Sequence, residues 1–142
     1  MRILCLDIGT RRIGVAVSDP MGWTAQPVGT IIRRGGVRDF ESIACAIRDQ
    51  GAQLVVIGLP LGAEGELGPQ AQKVKAFGAK LKRHLEETGQ AVPFEFWDER
   101  YSTATAEERL IEADVSRVKR RRVIDKMAAA VILDDYLRAH EG

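Results

Sequence analysis

The spacing of apolar residues changes period several times along the chain, and each change marks an element. "ILCL" is a continuous apolar run, so residues 2–7 are expected to form a buried strand. Over 12–18, Ile13, Val15 and Val17 alternate with smaller or polar neighbours, which predicts a second strand. The short glycine-bearing turn between them makes the pair an antiparallel hairpin. A third strand is expected within 24–32, ending in "GTII", with Pro27 marking a sheet edge or a strand start.

The period then becomes helical. Val37, Phe40, Ile43, Ala44 and Ile47 share one face, and Gly51 is the stop. "LVVIGL", 54–59, has the length and apolarity of a central parallel strand. "PLGAEGELG", 60–68, reads as a loop with only Leu61 suited to a core. Pro69 opens a second helix, with its stripe at Ala71, Val74, Phe77, Leu81 and Leu85 and its stop at Gly89. "VPFEFW", 92–97, is another strand. "DERYST" is a loop leading to a short helix over 103–113. Beyond a basic segment, Ile124, Met127, Ala128, Val131 and Ile132 trace the buried stripe of a final helix.

Three sequential antiparallel strands followed by two strand–helix crossovers predict an α/β fold. Its mixed five-stranded sheet has three antiparallel strands and then two parallel ones, flanked by helices. No repeat, low-complexity segment or linker interrupts it, so residues 1–142 are expected to form one domain.

Composition changes this picture little. With 45% hydrophobic and 29% charged residues the chain matches soluble globular proteins. It has no apolar run of membrane-spanning length and no leader pattern, so a cytoplasmic location and no membrane partner are expected. Two isolated cysteines, Cys5 and Cys45, make neither a zinc pattern nor a disulfide framework, and are expected as small buried hydrophobes. His84 and His140 lack partners for a triad. Trp23 and Trp97 are expected in the core.

Charge is more informative in its distribution than in its total. The net charge is +1, yet "VSRVKRRRVIDK", 115–126, alone carries a local +5, while the segments on either side are net acidic. Such a concentration suits a polyanion partner.

Three acids stand at element boundaries. Asp7 ends the first strand, Glu99 follows the last strand, and Asp125 begins the final helix. Hard divalent ions such as Mg²⁺ or Mn²⁺ take carboxylate and water oxygens. The carboxyl ends of parallel strands are where α/β sheets bind ligands, so the three could form one cage. Each acid also has a plainer reading. Asp7 suits a turn before Gly9, Glu99 a solvated loop or a pair with Arg100, and Asp125 a helix N-cap. The arginine run, taken alone, is equally a solvated surface.

Taken together, "LDIGTRRIGVAVSD", "VVIGLPLGAEG", "WDERYSTATAEERL" and "RRRVIDKMAAAVILDDYL" resemble, in order and over residues 2–138, the YqgF family. These small bacterial proteins are described as candidate pre-16S rRNA nucleases, and earlier as candidate Holliday junction resolvases of RuvX type. The resemblance implies a ribonuclease H-like fold and an acidic metal site, falling here on Asp7, Glu99 and Asp125. It implies Mg²⁺ or Mn²⁺ as cofactor and hydrolysis of phosphodiester bonds in structured nucleic acid. The preferred reading is an endonuclease processing precursor 16S rRNA, as monomer or homodimer.

The residues expected to hold nucleic acid are Arg11, Arg12, Arg100, Arg117, Lys119, Arg120, Arg121 and Arg122, with Tyr101 stacking on bases. Two departures stand out. The family commonly reads "GLPLNMDG" where this chain has "GLPLGAEG", so Gly62, Ala63 and Glu64 differ. Related resolvases also carry a further carboxylate one turn past the last aspartate, where this chain has Ala128 and Ala129, leaving Asp98 as a reserve acid. Alternatives are cleavage of four-way DNA junctions, which requires a dimer, and a non-catalytic assembly factor. An actin-like ATPase or sugar kinase shares the Asp-x-Gly-Thr start, but needs a second domain.

Overall fold

The computed structural model describes residues 1–99 and 117–140; within 117–126 it gives the course of the backbone alone. The expected helix over 103–113 lies outside the described residues. A hairpin of β1 (Ile3–Ile8) and β2 (Arg12–Ser18) leads to β3 (Ala25–Ile32) and α1 (Val37–Gln50). β4 (Leu54–Leu59), α2 (Pro69–Glu87), β5 (Phe94–Asp98) and α3 (Arg117–Ala139) follow. The sheet order is β3-β2-β1-β4-β5. β1–β2 and β2–β3 are antiparallel, while β1–β4 and β4–β5 are parallel. The mixed sheet read from the sequence is therefore the one observed. Pro27 lies on the edge strand β3, where its missing N–H costs the ladder least.

Strand alternation gives the sheet two different faces. Leu4, Leu6 and Ile8 of β1, with Val55, Ile57 and Leu59 of β4, pack against Ile43, Ile47, Val74, Leu81 and Leu85 of α1 and α2. α2 approaches closely at Gly78, where a Cβ would stand 2.8 Å from Phe96 Cζ. The other face sets Ile3, Cys5, Ala16 and Val56 against Ala129, Ala130, Ile132, Leu133, Tyr136 and Leu137 of α3. α1 ends at Gly51, whose φ of 62° is the left-handed conformation glycine adopts without strain.

Three expectations need correction. The final helix begins at Arg117, so the basic run is helical and Asp125 lies inside the helix, not at an N-cap. Arginine and lysine continue a helix readily even without an apolar stripe to announce it. Trp23 is not core but 73% exposed, on the turn after β2. Cys45 is also exposed, because α1 turns the neighbouring Ile43, Ala44 and Ile47 inward instead. Cys5 and Trp97 do pack with the α3-side core. No described helix is long and apolar enough to cross a membrane.

Candidate active site

The parallel strands end together. β1 and β4 pair through Leu6 and Ile57, and β4 and β5 through Gly58 with Trp97 and Leu59 with Asp98. Asp7, Gly58 and Trp97 therefore follow one another across the sheet, on the face that α3 covers. Glu99 lies one residue past β5, with its N–H donating to the carbonyl of Leu59 at 3.2 Å.

The Glu99 carboxylate lies over Gly58. A Cβ at that glycine would run into Glu99 Oε2 and come within 2.8 Å of Ile132 Cδ1. Gly14, paired with Asp7 across the hairpin, leaves space on the other side. A methyl there would stand 3.5 Å from Asp7 Cβ and 3.6 Å from Ala129 Cβ. Two glycines thus keep room between sheet and helix where side chains would otherwise pack.

Burial first, then the charges of Asp7 and Asp98, push the Glu99 carboxyl up to about 7. Its Oε2 is buried and has no hydrogen-bond partner among the described residues. Beneath the acids, burial and then the charges of Asp7 and Glu99 raise the Cys5 thiol well above its ordinary value. Both carboxylates therefore act on one small region of the sheet. A buried carboxylate oxygen without a donor is costly. Beside a second carboxylate it forms an oxygen-donor set that a hard divalent cation satisfies.

Asp125 is one helical turn before Ala129, hence on the same side of α3 and nearer the carboxyl ends of the strands. Its side chain lies outside the described residues, as do the side chains of Arg117, Lys119, Arg120, Arg121 and Arg122. Arg100 and Tyr101 lie wholly outside them. Among the described residues no three acidic, histidine or cysteine side chains group as a metal site. Strand alternation puts Asp98 on the opposite face from Glu99, with Phe94 and Phe96.

Arg11 and Arg12 are exposed on the hairpin turn and line, with Asp7, Gly9, Gly14 and Thr30, an open hollow beside the acids. Gly9 shapes that turn: its N–H donates to Arg12 O at 2.9 Å, and a Cβ on it would stand 2.7 Å from the same oxygen.

Sequence reasoning missed Arg33. Its guanidinium donates to the carbonyl of Gly9 at 2.8 Å and to Asp39 Oδ2 at 3.5 Å, and lies 5.0 Å over the ring of Phe77. Buried Asp39 also accepts from the N–H groups of Arg34 and Gly35. The turn carrying Arg11 and Arg12 is thereby braced from α1 and α2. The only signal in the sequence was a polar "RRGG" between a strand and a helix.

In the loop after β4, Glu66 lies over Gly62. Its carboxylate accepts from the N–H of Glu64 at 3.0 Å and folds over Gly62, so a side chain there would have to displace it.

Comparison with known proteins bears on the family and the fold. The family model described as RuvX, Holliday junction resolvase, matches residues 1–139. A relative from Geobacillus thermodenitrificans is 50% identical over 139 residues, covering 96% of this chain and 97% of the relative. One from Clostridioides difficile is 51% identical over 136 residues, covering 96% and 93%. Both carry the provisional name pre-16S rRNA nuclease. Among solved structures, RuvC of T. thermophilus in complex with a Holliday junction substrate superposes with a TM-score of 0.58 at 15% identity, covering 99% of this chain and 96% of that one. The Fowlpox virus resolvase, in complex with junction DNA, gives 0.54 at 11% identity, with both chains fully covered. At such identities these structures speak for the fold, which is ribonuclease H-like. Matched along nearly its whole length, the chain belongs to the RuvX (YqgF) family, a family of proteins named as nucleases.

Proposed function

We propose that this protein is a divalent-metal-dependent endonuclease that hydrolyses phosphodiester bonds in structured nucleic acid, with precursor 16S rRNA as its substrate. The observation that carries the reading is the buried Oε2 of Glu99, without a hydrogen-bond partner among the described residues, beside Asp7 at the carboxyl end of the sheet. Folding tolerates such an oxygen at a cost, and a ligand that completes it recovers that cost. Asp7 and Glu99, joined by Asp125 one turn before Ala129, would hold Mg²⁺ or Mn²⁺. When bound, the ion supplies Lewis-acid polarisation of the scissile phosphate and of the attacking water.

The chain's own residues do the positioning. Asp7 sits on the central strand β1, with partners on both edges, so its backbone cannot shift without breaking two ladders. Gly58 makes room for the Glu99 carboxylate, and Gly14 places no side chain of its own beside Asp7. Arg11 and Arg12, facing the same hollow as Asp7, neutralise substrate phosphate. The helical run Arg117, Lys119, Arg120, Arg121 and Arg122, with Arg100, extends that cationic surface, and Tyr101 stacks on an unpaired base.

Cleavage of four-way DNA junctions is the second reading, favoured by the description of the matching family. The test is cleavage of a precursor 16S rRNA fragment and of a four-way DNA junction with Mg²⁺ or Mn²⁺, comparing wild type with Asp7→Asn. Metal-dependent cleavage of the RNA, lost in Asp7→Asn while RNA binding persists, is the expected result. Cleavage of the junction alone by a dimer would transfer the assignment to DNA. Nucleic-acid binding without any metal-dependent cleavage would make the protein a non-catalytic assembly factor.

A further inference from the structure

α1 follows β3 and α2 follows β4, so both helices begin at the sheet end that carries Asp7 and Glu99. From the start of α1 to the middle of α2 runs a groove on the face away from α3, lined by Arg33, Phe40, Lys73, Phe77 and Lys80. We propose that this groove is a second track for the nucleic-acid backbone, taking phosphates that flank the cleaved bond. The inference rests on the nuclease reading above and extends it to a surface outside the carboxylate site.

The chemistry of the groove fits a polyanion. Lys73 and Lys80 are both exposed and stand two turns apart on α2, about 10 Å along the helix axis. Neither has a carboxylate partner among the described residues, whereas Arg138 of α3 is paired with Asp134. Among the described residues the one acid lining the groove, Asp39, is 2% exposed, and its oxygens accept from Arg33 and from the backbone of Arg34 and Gly35. It therefore presents little negative charge to the groove.

The floor is aromatic: Phe40 and Phe77 contact each other with centroids 5.3 Å apart. Arg33 lies over Phe77 and also holds the carbonyl of Gly9, so the groove is joined to the turn beside Asp7. α2 carries five cations, Lys73, Lys75, Lys80, Lys82 and Arg83, and its two acids, Glu86 and Glu87, fall at the end remote from the site. The positive ends of two helix dipoles add to the field at the near end.

The experiment compares Lys73→Gln/Lys80→Gln with a control pair on the same helix outside the groove, Lys82→Gln/Arg83→Gln. Affinity for a precursor 16S rRNA fragment is measured from 50 to 200 mM salt without divalent metal. The groove pair is expected to bind about 5- to 10-fold more weakly at low salt, with a salt slope shallower by about one to two. The control pair is expected to change affinity less than about 2-fold. Hydrolysis of bis(p-nitrophenyl) phosphate with Mn²⁺, a substrate too small to reach the groove, is expected to stay at the wild-type rate in both. Wild-type affinity and slope in the groove pair would overturn the track. So would an equal loss in the control pair, which would mean a general charge effect of α2. Wild-type protein that binds RNA with the groove signature but never cleaves would overturn the nuclease reading and leave the groove standing.

Discussion

The two faces of the sheet are built to different rules. Against α1 and α2, strands β1 and β4 present Leu4, Leu6, Ile8, Val55, Ile57 and Leu59, and the helices answer with isoleucine, leucine and phenylalanine. Against α3 the same strands present Ile3, Cys5, Asp7, Val56 and Gly58, and the helix answers with Ala129 beside Asp7 and Ile132 beside Gly58. The first face is filled with large side chains. The second gives up packing near its carboxyl end, and the room is taken by the Glu99 carboxylate. Stability and chemistry are thus separated by strand alternation, one residue at a time: Leu6 serves one and Asp7 the other.

This contrast predicts where substitutions strike. The largest stability effect is expected for Leu6→Ala, fully buried on the packed face, at about 2–5 kcal/mol. Its Mn²⁺-dependent cleavage below the unfolding transition is expected to remain near wild type. Denaturant melts and cleavage rates on the same preparation check both, and lost cleavage in folded Leu6→Ala would blur the division between faces.

Gly58→Ala should reverse that pattern. Its methyl meets Glu99 Oε2 and Ile132, costing about 1–3 kcal/mol by overpacking and displacing the carboxylate. Cleavage should fall on the order of 100-fold, as expected when an electrostatic group of a site is lost. Rates near wild type would mean that the position of Glu99 is unimportant. Arg33→Gln removes the brace on the Gly9 carbonyl and the stacking on Phe77, at about 1–2 kcal/mol. It should slow cleavage without altering Mn²⁺ affinity; unchanged melting and rate would show that the turn holds itself.

The smallest change has the opposite sign. Folding raises the Glu99 carboxyl from 4.5 to about 7, so the native state keeps a proton that the unfolded chain releases. Stability of the metal-free protein therefore falls as pH rises through this window and levels off above about 7. Glu99→Gln removes that decline. It should be more stable than wild type above pH 7 by about 1 kcal/mol, after discounting for partial solvent screening. Thermal melts across pH without divalent metal check it, and an unshifted or lower melting temperature would contradict the cost assigned to the site.

Much of this arrangement is legible in the sequence because the relevant signals are periodic. Alternation in Ile13, Val15 and Val17, and the helical stripes of α1 and α2, each repeat within one element. The approach of Asp7 and Glu99, 92 positions apart, follows from the rule that parallel strands bring their carboxyl ends together. What stayed hidden depends on neighbours distant in the chain. Gly58 reads as one small residue in an apolar run, and only the overlying Glu99 gives it meaning. Arg33 finds its partners at Gly9, Asp39 and Phe77, on three other elements. The start of α3 carries no periodic mark, because the arginine run is helical without an apolar face. The exposure of Trp23 is equally unmarked, because burial of a single aromatic is a property of its surroundings.

The most direct test of the central claim, that Asp7 and Glu99 form one cation-binding set, is calorimetric titration of Mn²⁺ into wild type, Asp7→Asn and Glu99→Gln. Saturable binding by wild type and its loss in both folded variants is the predicted result. Binding of equal affinity in all three would contradict it.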